Sequence, residues 1–170
     1  MSYKPGFLRG AVIAFVFFFA CAVQASAQSW ASLTQAQRNQ TIVNEANSWS
    51  DGTQGGQCKV WVQNVVWAAS GATVWLPTNA DNCTWNYSAH VVGRCALLGS
   101  VSAGEIIQMQ LSSVNGGGPH TFIITANNGS SITVKESNWC SGNCEKVDTR
   151  TLTYQQFYDM VGCYSVYYVQ

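Results

Sequence analysis

The chain has 170 residues, of which 47% are hydrophobic, 12% aromatic and only 9% charged, with 8 Lys+Arg balanced by 8 Asp+Glu. Charge at about a third of its usual share, combined with abundant apolar surface, excludes a mostly disordered chain, because burial can offset the entropy of ordering. No basic stripe is present to hold a nucleic acid, and at this length a single domain is expected.

In residues 1–27, Lys4 and Arg9 precede an apolar run from Ala11 to Val23, and Ala25-Ser26-Ala27 follows. This is the order of a secretory signal peptide cleaved after Ala27. The run is shorter than the roughly 18 apolar residues that a bilayer span needs, so no stable membrane span is expected after cleavage. Phe18-Phe19-Ala20-Cys21 is similar to a bacterial lipoprotein box with Phe in place of the usual Leu, which makes lipid anchoring at Cys21 the lesser alternative. Residues 28–170 are then the one domain of a secreted or periplasmic protein.

That domain holds Cys58, Cys83, Cys95, Cys140, Cys144 and Cys163. Export to an oxidising compartment makes disulfides the default, and local spacing favours Cys83 with Cys95 and Cys140 with Cys144. The pair at 140 and 144 lacks a second cysteine pair at metal-ligand spacing, so no metal and no cofactor is expected.

Ser32 or Thr34 starts a first helix that carries Leu33, Ala36, Ile42, Val43, Ala46 and Trp49 at helical intervals. Asp51 to Gly56 is a breaker-rich loop. The stretch QCKVWVQNVVWAA then runs to Gly71 without Gly or Pro, and its length and spacing favour a buried helix opening at Cys58. Residues 71–100 are rich in loop signals. Beyond Gly104, EIIQMQL, HTFIITA, SITVKESN and CYSVYYV each read as a strand bounded by turn residues. Helices followed by antiparallel strands predict an α+β domain with the Cys58 helix packed on a small sheet.

Cys58 follows Gly55-Gly56-Gln57 at that helix start, where unpaired backbone N–H groups and the helix dipole stabilise a thiolate. Composition alone favours one more bridged cysteine of an exported protein. His120 follows Gly116-Gly117-Gly118-Pro119 and opens a strand, an approach that lets another chain come close to the imidazole. His90, in the loop-rich middle, has no such setting and is given no role.

Glu136 and Asn138 lie at the end of the next strand. A two-residue turn at Asn128-Gly129 would turn Glu136 away from His120, whereas a three-residue loop from Asn127 to Gly129 would set them opposite each other. Phe122, Ile124, Ile132 and Val134 all occupy even positions, and only an even pairing buries them together. The expected partners are therefore Phe122 with Val134, Ile124 with Ile132, and His120 with Glu136, leaving Ser137 on the opposite face. A cysteine, an imidazole and a group that orients the ring are the parts acyl transfer requires, and the Cys58 backbone N–H is the natural first donor to an oxyanion.

Gly-Gln-Cys at 56–58, Ala-Gly-Glu-Ile-Ile at 103–107, Pro-His at 119–120 and the stretch from Gly129 to Trp139 ending Glu-Ser-Asn-Trp resemble the CHAP family. These are cysteine, histidine-dependent amidohydrolases and peptidases with a papain-like fold, many of which cut amide bonds in bacterial peptidoglycan. The resemblance covers roughly residues 53–140. It implies Cys58 as nucleophile, His120 as base and Glu136 with Asn138 as orienting groups, with Gln57 and Trp139 contacting the substrate. Pro119 departs from the Gly usual before the histidine and stiffens the approach.

The substrate implied is a peptidoglycan peptide, and the hazard of an unrestrained wall hydrolase leaves room for an inhibitory protein partner. Two other readings differ in class. One keeps the triad in a protein peptidase or acyltransferase, since the fold does not specify the acceptor. The other is a binding module with three disulfides, Cys58 included, presenting Trp75, Trp85, Tyr87 and Trp139 as a sugar or peptide platform.

Overall fold

A computed structural model of the chain describes residues 28–77, 83, 91–94, 96–115, 117–139 and 144–170. Residues 1–27, with the expected signal peptide and the Cys21 anchor, lie outside them, as do Trp85, Tyr87, His90, Cys95 and Cys140. Helix α1 spans Gln35–Ser48. Its start is set at Thr34, not Ser32, by a capping box: Gln37 N donates to Thr34 Oγ1 at 3.3 Å, and Thr34 N donates to Gln37 Oε1 at 2.8 Å. Two of the orphan donors of the first turn are thereby satisfied. Trp30–Ser32 instead forms a short 3-10 turn. Helix α2 spans Cys58–Ala69, opening at the cysteine as its spacing predicts.

Six strands follow: β1 (Val91–Arg94), β2 (Ile106–Leu111), β3 (Pro119–Asn127), β4 (Ser131–Ser137), β5 (Val147–Thr153) and β6 (Val161–Tyr167), with helix α3 (Tyr154–Met160) between the last two. They form one antiparallel sheet in the order β1-β6-β2-β3-β4-β5. The architecture is α+β, with both faces of the sheet covered. Side chains alternate between faces along each strand. Ile106, Ile123, Val147 and Tyr167 meet Ile42, Ala46, Trp61, Val62, Val65 and Val66 of α1 and α2. Ile107, Met109, Phe122, Ile124, Ile132 and Val134 form a second core on the other face with Leu98, Val101, Leu152 and Phe157 of α3.

The β3–β4 hairpin differs from the expected one. Asn128 N donates to Ser131 O at 3.1 Å, and Asn128 Oδ1 accepts from Ser130 N at 3.0 Å and from Ser131 N at 2.8 Å. This Asx-type capping, with Gly129 at φ +88°, carries β3 through Asn127 and moves the turn along the chain. Asn127 therefore faces Ile132, and the register shifts between Ile124 and Ala126. Beyond that bulge the pairs are Ile124 with Val134 and Phe122 with Glu136. The four even apolar residues still share one core. The three-residue loop and the direct pairing of Glu136 with His120 are thus replaced by a bulged hairpin in which Glu136 is a diagonal neighbour of His120.

The cysteine pairing is corrected as well: Cys83 bonds Cys163, 80 residues away, and not Cys95. This bond ties the long connection after α2 to β6, a distance that local spacing could not reveal. Cys144 is also disulfide-bonded. Its expected partner Cys140 lies outside the described residues. Among the described residues no helix is long and apolar enough to cross a membrane.

Candidate active site

The loop leading to α2 is stitched onto the beginning of β5. Gly52 N donates to Val147 O and Val147 N to Thr53 O, both at 2.8 Å, and Gly55 N and Gly56 N donate to Glu145 O at 2.7 and 3.1 Å. Ser137 Oγ at the end of β4 donates to Gly56 O at 2.6 Å. A Cβ on Gly55 would stand 2.5 Å from that same Ser137 oxygen, so the loop can lie this close only because the residue is glycine. The effect is to hold the start of α2 over the start of β3.

Cys58 is a free thiol there. It shares a hydrogen bond with the His120 side chain and accepts from the backbone N–H groups of Thr121 and Lys59. His120 is 4% exposed and bonds Glu136 through Nε2, 2.6 Å from Oε2, which leaves Nδ1 for the sulfur. Glu136 is fully buried, and its second oxygen, Oε1, accepts from Arg150 Nε on β5. Cys58, His120 and Glu136 are thereby brought into one chain of hydrogen bonds.

The electrostatics of the set follow from its contacts. Burial alone would raise the Cys58 thiol, but the hydrogen bond and charge of His120, with the two backbone donors, hold it below its ordinary value. Burial would lower His120, and the bonds to Cys58 and Glu136 outweigh it and push the imidazole up to about 9. Burial works against the Glu136 carboxylate too, yet His120 and Arg150 hold it below the usual carboxylate range. All three shifts run in the direction that favours a thiolate beside an imidazolium, backed by a carboxylate.

Asn138 is not beside the imidazole. It takes a positive φ of 65°, donates Nδ2 to Gln57 Oε1 at 2.9 Å and accepts Glu145 N on Oδ1 at 3.1 Å. The expected contact of Asn138 with the ring is not made: the backbone turn at the end of β4 swings its side chain to the α2 loop, and Glu136 is the carboxylate that bonds the imidazole. Gln57, the exposed N-cap of α2, also donates Nε2 to Glu145 Oε1 at 2.8 Å. Trp139 packs its ring against His120, 4.9 Å between centroids at 64°, and the Arg150 guanidinium carbon lies over the Trp139 ring, 3.7 Å from its centroid.

Arg150 and Glu145 escape a reading of the sequence. The available signal for Arg150 is the alternation of Asp148 and Arg150 in a polar stretch, which has meaning only once β5 is known to pair with β4. The platform reading loses its third disulfide, since Cys58 is unbridged, and of its four aromatic residues Trp85 and Tyr87 lie outside the described residues while Trp139 packs on His120 and Arg150. Trp75 is exposed and meets Trp67 edge-on. Among the described residues no group of three or more His, Cys, Asp and Glu could hold a metal ion.

The fold and site are those of an α+β protein with a cysteine, an imidazole and a carboxylate assembled at a helix start. No family model and no curated protein matches the chain. Similar solved structures include the crystal structure of Ly7917, at 19% identity and a TM-score of 0.52, and that of Ly7917 with the hydrolyzing product of MDP, at 17% identity and a TM-score of 0.55. In each comparison the likeness covers 76% of this chain and 62% of that chain, so this chain spans about three fifths of the neighbour's length. At these identities the likeness is one of fold.

Proposed function

We propose that the chain is an exported cysteine amidohydrolase or peptidase of CHAP type, with a papain-like arrangement of helix and sheet, that cleaves an amide bond in the peptide part of bacterial peptidoglycan. The observation that carries this reading is the unbridged Cys58 at the start of α2, hydrogen-bonded to an imidazole whose other nitrogen is held by a buried carboxylate. The motifs around Cys58, His120 and Glu136 supply the family likeness, and the fold neighbour Ly7917, seen with a product of MDP, supports the substrate class. The Cys83–Cys163 bond supports an extracytoplasmic location.

In this reading the Cys58 thiolate attacks the amide carbonyl carbon. The negative charge passes to the carbonyl oxygen, which faces the backbone N–H groups at the start of α2. His120 gives its Nδ1 proton to the departing nitrogen, and the C–N bond breaks to leave a thioester on Cys58 and a free amine. His120 then takes a proton from water as its oxygen attacks the thioester carbon, and the C–S bond breaks to free a carboxylic acid, which ionises in water, and to restore the Cys58 thiolate beside the imidazolium. Glu136 keeps Nε2 protonated and the ring aimed throughout.

Digestion of purified peptidoglycan tests the proposal. The wild-type protein should release soluble fragments that carry one new amine and one new carboxyl per cut, and Cys58→Ser should release none above background. Mass analysis of the fragments also identifies the bond. Absence of any new amine with folded protein whose Cys58 thiol is titratable would contradict the substrate assignment, and equal release by Cys58→Ser would contradict the mechanism.

A further inference from the structure

A fully buried carboxylate keeps its charge only when donors or cations meet it. Glu136 has two such partners, one on each oxygen: His120 on Oε2 and Arg150 on Oε1. Sheet pairing delivers the second, since Val134 stands opposite Arg150 and Glu136 opposite Asp148, which makes Arg150 a diagonal neighbour of Glu136 on the same face. The guanidinium also stacks at 3.7 Å on Trp139, whose ring abuts the His120 imidazole. Its Nη2 is buried without a hydrogen-bond partner among the described residues, so Glu136 and Trp139 are what hold the side chain in place.

Among the described residues, the charged groups facing this cluster are Cys58 from α2, His120 from β3, Glu136 from β4, and Asp148 and Arg150 from β5. With Cys58 as thiolate and His120 as imidazolium, the hydrogen-bonded four alternate in sign and sum to zero. Removing Arg150 would leave them with an excess negative charge in a buried setting, beside Asp148. A guanidinium suits the position because it stays charged, bonds a carboxylate edge and stacks on an aromatic face at once.

We propose that Arg150 is a positioning residue of this site: it keeps Glu136 ionised and aimed at His120, and through Glu136 it keeps the imidazole protonated beside the Cys58 thiol. The inference rests on the Cys58–His120–Glu136 reading of the site. It can be tested without substrate, so its failure is distinguishable from a failure of the peptidoglycan assignment.

The test is an NMR titration of the His120 ring in the whole protein, with His90→Gln used to assign the only other histidine signal. Wild type should titrate near 9. In Arg150→Met the uncompensated Glu136 should take up a proton itself and cease to support the imidazolium, lowering the His120 midpoint by about two units, a hundredfold loss of proton affinity. Arg150→Lys, which retains the cation, should stay within about one unit of wild type, and Arg150→Gln carries the same expectation as Arg150→Met should the latter not fold. In a Glu136→Gln background, Arg150→Met should shift the midpoint no further. A midpoint in folded Arg150→Met or Arg150→Gln that is unchanged or raised would overturn the proposal, because loss of a nearby cation with Glu136 still ionised can only favour the imidazolium. An equal shift in the Glu136→Gln background would overturn it too.

Discussion

Replacement of His120 by Ala should lower kcat/KM for peptide hydrolysis by about three orders of magnitude or more, the upper range for loss of a general acid–base group combined with loss of the thiolate's counter-ion. Both effects come from one side chain. Nδ1 faces Cys58 and Nε2 bonds Glu136, so no neighbouring group can substitute. The variant also leaves Glu136 buried with Arg150 as its remaining partner, and thermal stability should fall along with activity. Rates measured per titrated thiol separate the two losses. Retention of more than a tenth of wild-type kcat/KM would remove His120 from the mechanism.

Alkylation of Cys58 by iodoacetamide should be fast at pH 6, where an ordinary thiol is thiolate to only about one part in three hundred. The sign follows from the site: the Cys58 value is lowered, so its thiolate persists below the ordinary range, and His120 stays protonated until about 9. The reactive ion pair therefore occupies the window between the two. Faster alkylation than that of a free thiol is expected at pH 6, and hydrolysis should decline above pH 9 as the proton needed by the leaving amine is lost. A single rise in alkylation centred near the ordinary thiol value would show that no ion pair forms.

The sequence makes Cys58, His120 and Glu136 legible because each carries a local signal: a glycine-rich helix start, a glycine-rich approach to a strand, and an even-numbered face shared with Phe122 and Val134. Helix α2 opens where its periodicity says it should. What the sequence hides is non-local. β5 has a buried residue only at Val147 and Leu152, so its polar pattern gives little strand signal, and Arg150 acquires meaning only from pairing with β4. Helix α3 is seven residues long, too short for periodicity, although Thr153 and Gln156 form a capping box that a search for starts could have found. The Cys83–Cys163 bond joins residues 80 apart, against which local spacing is no guide. Asn138 sits one residue past the end of β4, where a positive φ redirects its side chain, and a register argument that treats the strand as continuing cannot foresee that turn.

Covalent chemistry at Cys58 is the core of the account, and mass spectrometry of acid-quenched enzyme during turnover tests it most directly. Protein mixed with excess peptidoglycan fragment and quenched within the first turnover should carry the acyl half of the substrate as a thioester, located on Cys58 by peptide mapping and released by hydroxylamine. Prior alkylation of Cys58 should abolish both the adduct and the fragments. Hydrolysis that continues at the wild-type rate after complete alkylation of Cys58, with no acyl adduct on the protein, would contradict it.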